Sequence, residues 1–250
     1  MQLFYTPEID GVIGSTYLLN EEESKHCVRV LRLTHGDVVH LTDGKGVLLR
    51  AVLVQAAPKA CLLRIEERFD RWEERPYYLH VAVAPTKSPD RYEWMVEKIT
   101  EVGVDEVTPL ITARSERKVF KSDRVERIAV SAMKQSLKAQ LPVIHPATPF
   151  ETLIHRPFDG IKLIAHCGEG ARKALFEVLD KEPLISRRST PRYLILIGPE
   201  GDFSPDEVAQ AQNQGFQSIH LGISRLRTET AGVAAVIGVY LFQNNGYLCK

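Results

Sequence analysis

The chain has 250 residues, a formal net charge of zero and a mean hydropathy of −0.15. Hydrophobic residues make up 44% and charged residues 26%, which is the balance of an ordinary soluble globular protein with a real core. The length fits one large domain or two modest ones. The neutral charge counts against a protein that coats nucleic acid, although it leaves room for a local basic face.

No apolar run approaches the roughly 20 residues that a membrane span needs. The first residues, MQLFYTPEIDG, lack the basic and then apolar pattern of a secretory signal, so we expect a cytoplasmic protein. The four cysteines are far apart and form no Cys-x-x-Cys pair; they are Cys27, Cys61, Cys167 and Cys249. Structural zinc and a disulfide framework are both disfavoured, and buried or unreactive thiols are the favoured interpretation.

Residues 1–70 have a β-rich pattern. Three strands are predicted, over residues 38–42, 46–54 and 61–65, and Asp43-Gly44 between the first two is a hairpin signal. A short helix is predicted to begin at Ser24 and to carry HCVRVLRL. Short strands joined by turns predict a small barrel.

The composition shifts to FDRWEERPY over residues 69–77. This charged stretch ends near a proline and is typical of a linker. It predicts two domains, over residues 1–72 and 73–250.

Beyond the linker, predicted strands alternate with predicted helices. The strands cover residues 78–85, 105–112, 161–166, 193–198 and 216–221, and the helices cover residues 91–102, 123–139, 171–179, 204–215 and 233–242. Ser204, Pro205 and Glu207 form an N-terminal capping signal. This alternation predicts a mostly parallel sheet covered by helices on both faces.

Three polar loops follow predicted strands, at the carboxyl ends where parallel sheets bind ligands. They are HCGEGARK (166–173), GPEGDFS (198–204) and LGISRLRTETA (221–231). The first is a weak dinucleotide fingerprint, because Lys173 occupies the third glycine position, and the second lacks the Lys-Ser or Lys-Thr of a phosphate loop. A structural turn explains the second loop taken alone, but it does not require Glu200.

RLRTETAG (225–232) begins the last helix. Thr228 or Thr230 could cap that helix, and Glu229 would favour its amino end. Capping does not explain Arg225 and Arg227, because cations are disfavoured at a helix N-terminus. An anionic or electron-rich partner would explain them.

Residues 113–140 form a basic segment with eight Lys or Arg against three acidic residues. A solvated helix face with salt-bridged acids and an RNA-contacting surface are both open interpretations of this composition.

Several stretches together resemble one family. GPEGDFSPDEV and LGISRLRTETAG resemble the cofactor loops of the RsmE family of ribosomal RNA methyltransferases, in the SPOUT superfamily. HCVRVLRLTHGDVVHLTDGKG is similar to that family's N-terminal PUA-like barrel, and KSPDRYEWMVEKITEVGVDEVTPLITARSER is similar to its first catalytic-domain segment. AMKQSLKAQLPVI resembles a further signature of the family. The resemblance covers nearly the whole chain. Asp202 departs from the usual glycine after GPEG, and Arg225 is displaced by one position.

The resemblance implies an α/β fold, with a SPOUT-type trefoil-knotted, mostly parallel sheet behind a small N-terminal PUA-like β-barrel. It implies methylation of N3 of a specific uridine in 16S ribosomal RNA, within an assembled small subunit. The implied cofactor is S-adenosyl-L-methionine. The implied enzyme is a cytoplasmic homodimer that requires neither metal nor membrane.

The resemblance also assigns site residues. The cofactor is expected to contact Ile197, Gly198, Pro199, Glu200, Gly201, Leu221, Gly222, Leu226, Thr228, Thr230 and Ala231. Arg227 is the candidate that stabilises negative charge on uracil, while Glu229 or Glu200 would orient groups or accept a proton. RNA is expected to contact Arg29, Arg32, Lys87, Arg114, Lys134 and Lys138.

Two alternatives stay open at this stage. One is a SPOUT methyltransferase that acts on another ribosomal or transfer RNA nucleotide, since target choice depends on shape. The other is a non-catalytic RNA-binding relative with a degenerate fold, against which the intact GPEG and RTETA sequences argue.

Overall fold

The computed structural model describes residues 1–117, 120–181 and 190–244. Lys118 of the basic segment and Cys249 lie outside the described residues. The chain divides into two compact units, one of residues 1–74 with 130–141 and the other of residues 75–129 with the described residues from 142 onward. Composition gave no sign that residues 130–141 pack with the amino-terminal residues.

The amino-terminal unit is built on one five-stranded sheet. Its strands are β1 (Leu3–Tyr5), β2 (Thr16–Leu18), β3 (Val38–Thr42), β4 (Leu48–Gln55) and β5 (Leu62–Phe69). The spatial order is β1-β3-β4-β5-β2. β1 pairs in parallel with β3, and the other neighbours are antiparallel. All three predicted strands are present, whereas the two outer strands have only three residues each and gave no periodic signal.

The β3–β4 turn forms where the Asp-Gly signal predicts it. Gly44 and Gly46 have φ angles of +75° and +103°, in the left-handed region that glycine enters without steric cost. The Asp43 carboxylate accepts hydrogen bonds from the backbone N–H groups of Lys45 at 2.7 Å and Val47 at 3.2 Å. An aspartate that bonds its own turn in this way stabilises the reversal.

A short helical segment closes the core of this unit. Helix α1 (Glu21–Lys25) begins at an Asn20 cap, whose side chain accepts a hydrogen bond from the Glu23 N–H at 2.8 Å. It continues as a π-helical turn over His26–Val30. Cys27 and Cys61 are buried in the core, and burial raises the pKa of the Cys27 thiol to about 12. Burial of these two thiols is as predicted, whereas Cys167 is exposed.

The second unit is a parallel sheet flanked by helices. Its strands are β6 (Tyr78–Val83), β7 (Glu106–Ile111), β8 (Val143–Ile144), β9 (Thr148–Pro149), β10 (Ile161–Ala165), β11 (Lys173–Ala174), β12 (Arg192–Ile197) and β13 (Gln217–His220). The order is β11-β13-β10-β12-β6-β7-β8, with β9 beside β7. Each pairing among these described strands is parallel. The predicted α/β class with a mostly parallel sheet is confirmed.

Six helices among the described residues belong wholly or partly to this unit. They are α2 (Pro89–Val102), α3 (Ser122–Gln135), α4 (Phe150–Ile154), α5 (Leu175–Lys181), α6 (Pro205–Asn213) and α7 (Thr228–Asn244). The prediction was wrong in detail at α3, which ends before residue 139 because Leu137 takes a left-handed φ of +59°. It also missed β8, β9 and α4, which are too short for periodicity, and it read β11 as part of α5.

Helix α7 packs closely on α2 and also contacts β6 and β12. Gly232 makes this approach possible, since a Cβ there would lie 2.5 Å from the Met95 Sδ atom. After the last polar loop, which follows β13, the chain therefore packs over β12 and β6, two strands that are neighbours in the sheet. The trefoil knot itself stays a prediction. Among the described residues, no helix combines the length and apolarity that a membrane span requires.

Candidate functional site

A cleft of about 980 Å³ lies at the carboxyl ends of β10, β12 and β13. Its lining comes from residues 165–168, 197–202 and 220–228, together with Arg114, Arg172 and Ala231. The three polar loops predicted to meet at this edge of the sheet therefore do so. A cleft of this size is in the range that holds a cofactor or a nucleoside-sized ligand.

The loop after β12 is held in shape from both sides. A Cβ at Gly198 would lie 3.1 Å from two ring carbons of Phe203 and 3.2 Å from its backbone nitrogen, so any side chain there would press on Phe203. Arg114 donates hydrogen bonds from Nη1 to the carbonyl oxygens of Gly201 at 2.8 Å and Phe203 at 3.3 Å. The guanidinium predicted to contact RNA is thus engaged in positioning this loop.

The surroundings of Asp202 account for an aspartate where the resembled family usually has glycine. Its φ of +60° lies in the left-handed region that glycine favours, and aspartate is one of the few other residues found there. Its carboxylate accepts hydrogen bonds from the backbone N–H groups of Cys167 at 2.7 Å and Phe203 at 2.8 Å. Asp202 therefore ties the loop after β10 to the loop after β12.

The predicted capping box of α6 is present. The Ser204 hydroxyl accepts a hydrogen bond from the Glu207 N–H at 3.2 Å, and the Glu207 carboxylate accepts one from the Ser204 N–H at 2.8 Å. Glu207 also accepts the Ala113 N–H at 2.8 Å. One buried glutamate thus fixes both the start of α6 and the segment that carries Arg114.

Arg225 and Arg227 line the cleft and are exposed. Among the described residues, neither guanidinium makes a hydrogen bond or ion pair. Arg227 directly precedes α7, and its carbonyl oxygen accepts the Ala231 N–H at 2.8 Å. A helix N-terminus disfavours a cation, so the charges have no visible role in the fold of the unit.

The three residues after Arg227 have different surroundings. The buried Thr228 donates a hydrogen bond from its hydroxyl to the Gly198 carbonyl at 3.1 Å, which joins two cleft loops. Glu229 is buried outside the cleft lining, with Oε1 at 3.9 Å from Arg91 Nε, and its Oε2 has no hydrogen-bond partner in the described residues. Thr230 is exposed and also lies outside the cleft lining.

Glu200 lies in the cleft lining and is exposed. Its Oε1 accepts a hydrogen bond from the Lys87 backbone N–H at 3.1 Å. The Lys87 ammonium lies 3.1 Å from the Glu116 carboxylate on the surface. Of the two glutamates predicted to take part in the chemistry, only Glu200 is therefore placed beside the cleft.

His166 is a cleft residue that the sequence prediction did not single out. It directly follows β10 and is only 6% exposed, and neither ring nitrogen has a hydrogen-bond partner among the described residues. Burial lowers its pKa, and Arg172 acts in the same direction while Asp202 opposes it. The available signal was its position at the carboxyl end of the predicted strand over residues 161–166.

The predicted RNA contacts in the amino-terminal unit have two kinds of environment. Lys134 Nζ lies 2.6 Å from the Glu23 carboxylate, and Lys138 Nζ lies 3.4 Å from the Glu73 carboxylate. Arg29 and Arg32 are exposed and make no ion pair within the described part of the chain. The two arginines are better placed than the lysines to meet a phosphate.

One group of potential metal ligands is found among the described residues. His80, Glu106 and His145 bring ligand atoms within 4.8 Å of one another. They are already hydrogen-bonded, since His145 Nε2 lies 2.6 Å from Glu106 Oε2 and His80 Nε2 lies 2.8 Å from Thr108 Oγ1. The group lies near the amino ends of β6 and β7, away from the strand ends that form the cleft.

Two family models match this chain, one in its amino-terminal part and one beyond it. The profile of the RNA methyltransferase domain matches residues 73–239, and that of the RNA methyltransferase PUA domain matches residues 19–66. The chain is 28% identical over 233 residues to the ribosomal RNA small subunit methyltransferase E of Bacillus subtilis, which covers 90% of this chain and 89% of that relative.

Solved structures similar to this chain are also described as ribosomal RNA methyltransferases. One is described as a probable rRNA-methyltransferase from Porphyromonas gingivalis; it is 41% identical, with a TM-score of 0.85 and coverage of 98% of this chain and 100% of that one. Another is a ribosomal RNA small subunit methyltransferase E from Neisseria gonorrhoeae bound to S-adenosyl methionine. It is 28% identical, with a TM-score of 0.81 and 96% coverage of both chains.

Proposed function

The chain belongs to the RNA methyltransferase family, and from that premise we propose that it methylates N3 of a uridine in 16S ribosomal RNA. The methyl donor is S-adenosyl-L-methionine, which is bound in the similar Neisseria structure. The similar Bacillus protein is named for the small ribosomal subunit, which supports the substrate class. Methylation of another nucleotide is the alternative that an experiment must separate.

The observation that carries this proposal is the cleft, which is lined by Arg227, an arginine without a partner among the described residues. The cleft is large enough for the cofactor, and the polar ring nitrogens of His166 have no other partner in the described residues. Backbone from both expected cofactor loops lines it, from Ile197 to Gly201 and from Leu221 to Leu226. These features fit a nucleoside-containing ligand that is recognised largely by main-chain groups.

S-adenosylmethionine supplies, when bound, a methyl group made electrophilic by the adjacent sulfonium. The task of the chain is to hold the uracil N3 in line with that methyl group, which lowers the entropic cost of reaction. Removal of the N3 proton places negative charge on the uracil oxygens. Arg227, exposed at the cleft and without a partner in the described residues, is the group we assign to stabilise that charge.

The proton at N3 requires an acceptor within hydrogen-bond reach. Glu200 is our candidate, because it lies in the cleft lining and one carboxylate oxygen is held by the Lys87 N–H. Glu229 is buried outside the lining, beside Arg91. We assign Glu229 an orienting role at the start of α7 and not direct proton transfer.

The amino-terminal residues 1–72 would act as the RNA-binding domain and residues 73–250 as the methyltransferase domain. Arg29 and Arg32 are our preferred phosphate contacts, because phosphate contacts position a protein on its RNA. The substrate is an assembled small subunit in the cytoplasm, and the enzyme acts as a homodimer. Light scattering at micromolar concentration tests the dimer directly, and a monomer would contradict it.

Arg227→Ala tests the chemistry. Its single-turnover rate on assembled small subunits should fall about 10²–10³-fold, the usual cost of removing an electrostatic stabiliser. Its melting temperature and S-adenosylmethionine affinity should stay unchanged, because the guanidinium has no partner within the described residues. Arg227→Lys should restore the rate only in part, since the planar two-pronged geometry is lost.

Arg225→Ala is the matched control, because this arginine is also exposed, lines the same cleft and has no partner within the described residues. A normal rate for Arg227→Ala, together with a lowered melting temperature, would make Arg227 structural. Mass mapping of ribosomal RNA from a deletion strain identifies the target. Loss of a modification other than N3-methyluridine would favour the alternative substrate.

A further inference from the structure

His166 follows the middle one of the three strands whose carboxyl ends border the cleft. It follows β10, which is the strand between β12 and β13, and those two strands lead into the expected cofactor loops. The residue is only 6% exposed and lines the cleft, yet neither ring nitrogen has a partner among the described residues. A buried polar group without a partner carries a desolvation cost that a bound ligand can remove.

Gly168 leaves space beside the imidazole. Its φ is not in the left-handed region, so its backbone does not demand glycine. A Cβ at this position would instead lie 3.3 Å from His166 Nδ1. The absence of a side chain at Gly168 therefore leaves the Nδ1 edge of the buried ring free of a close contact with that residue.

We propose that His166, with Gly168 beside its ring, binds a ribose hydroxyl of the methyl donor. This assignment rests on the proposed function and adds to it a side-chain contact that the sequence prediction lacked. The pair forms a polar subsite between two loops that otherwise offer mainly backbone groups.

The chemistry of the imidazole favours a hydroxyl over the charged groups of the cofactor. Burial keeps the ring neutral, and a neutral imidazole offers one N–H donor and one acceptor nitrogen. A hydroxyl can donate a hydrogen bond to the acceptor nitrogen or accept one from the N–H, whereas a carboxylate would interact better with a protonated, cationic imidazole. The nearby Arg172 guanidinium donates to the His166 carbonyl oxygen at 2.7 Å, and the tie from Asp202 to the Cys167 N–H holds the same segment.

The test compares S-adenosylhomocysteine with its 2′-deoxy and 3′-deoxy analogues by calorimetry on the full chain. Wild-type protein should prefer the parent ligand over one of the two analogues by roughly 5- to 100-fold, because the missing hydroxyl leaves the buried imidazole unpaired. His166→Phe fills the space without polar atoms and should reduce that preference to about onefold. Gly168→Ala should weaken the preference without backbone strain.

His166→Asn retains a donor and an acceptor and should keep part of the discrimination. If a thermal melt shows that the phenylalanine variant does not fold, His166→Asn and Gly168→Ala replace it in the test. Equal discrimination in wild type and all folded variants would overturn the proposal. So would an affinity loss that is equal for all three ligands, or a loss of turnover without any change in affinity. Wild-type protein that binds none of the ligands would refute the proposed function itself.

Discussion

Substitution of Asp202 separates two effects that the structure combines at one residue. Its carboxylate ties the loop after β10 to the loop after β12 through two backbone N–H groups. Its backbone has a φ of +60°, where most side chains are strained. Asp202→Ala removes the hydrogen bonds and keeps the backbone strain, whereas Asp202→Gly removes both the hydrogen bonds and the strain. Asp202→Asn keeps one acceptor oxygen and the tolerance for this backbone conformation.

The expected sizes follow from these contacts. Each N–H to carboxylate bond contributes about 1 kcal/mol, at the low end for a charged acceptor because the site is partly exposed. The left-handed conformation costs alanine about 1 kcal/mol relative to glycine. The free energy of unfolding should therefore fall by about 2 kcal/mol in Asp202→Ala and by about 1 kcal/mol in the glycine and asparagine variants. In a protein of this size, 1 kcal/mol lowers the melting temperature by about 2–4 °C.

Calorimetric melts and S-adenosylhomocysteine titrations measure both consequences. The affinity should fall in the same order as the stability, because a loosened loop carries His166 out of position. Glu169→Ala is the control, since this exposed glutamate lies in the same loop and makes no hydrogen bond among the described residues. An alanine variant as stable as wild type, or a glycine variant less stable than the alanine variant, would refute the reasoning.

Two other predictions concern glycines and acid stability. Gly198→Ala should lower the melting temperature because its Cβ would meet Phe203 at 3.1 Å, whereas Gly201→Ala should not, since its nearest neighbour is Arg114 at 3.4 Å. A selective loss of cofactor affinity in Gly201→Ala would place the ligand against that backbone, and equal melts for the two variants would contradict the packing argument. Burial lowers the pKa of His80 from 6.5 to about 4. The unfolded chain therefore takes up this proton first, and up to about 3 kcal/mol of stability is lost as pH falls from 6.5 to 4. Urea unfolding across that range should show a flatter pH dependence in His80→Gln, and an identical slope would contradict it.

Local signals in the sequence predicted the features that depend on neighbouring residues. Asp43-Gly44 predicted the first hairpin because its turn is closed by the aspartate itself. Ser204 and Glu207 predicted the start of α6 because a capping box spans only four residues. Alternating apolar periods predicted the parallel sheet, and strand direction then placed the three polar loops at one edge. That is why the cleft could be located before its shape was known.

The environment of individual side chains depends on contacts between residues that are distant in sequence. In the sequence, Asp202 is only a departure from the family pattern, and the structure shows that its carboxylate accepts a hydrogen bond from the Cys167 N–H. The sequence predicts a catalytic role for Glu229, and only the structure shows that it is buried beside Arg91. The sequence predicts an RNA contact for Lys134, and only the structure shows the Glu23 carboxylate 2.6 Å from its ammonium. His166 gave no periodic or motif signal, because its burial arises only when β10 lies between β12 and β13. Composition and spacing specify which side chains are available, but only the tertiary structure determines which of them are left without a partner at the cleft.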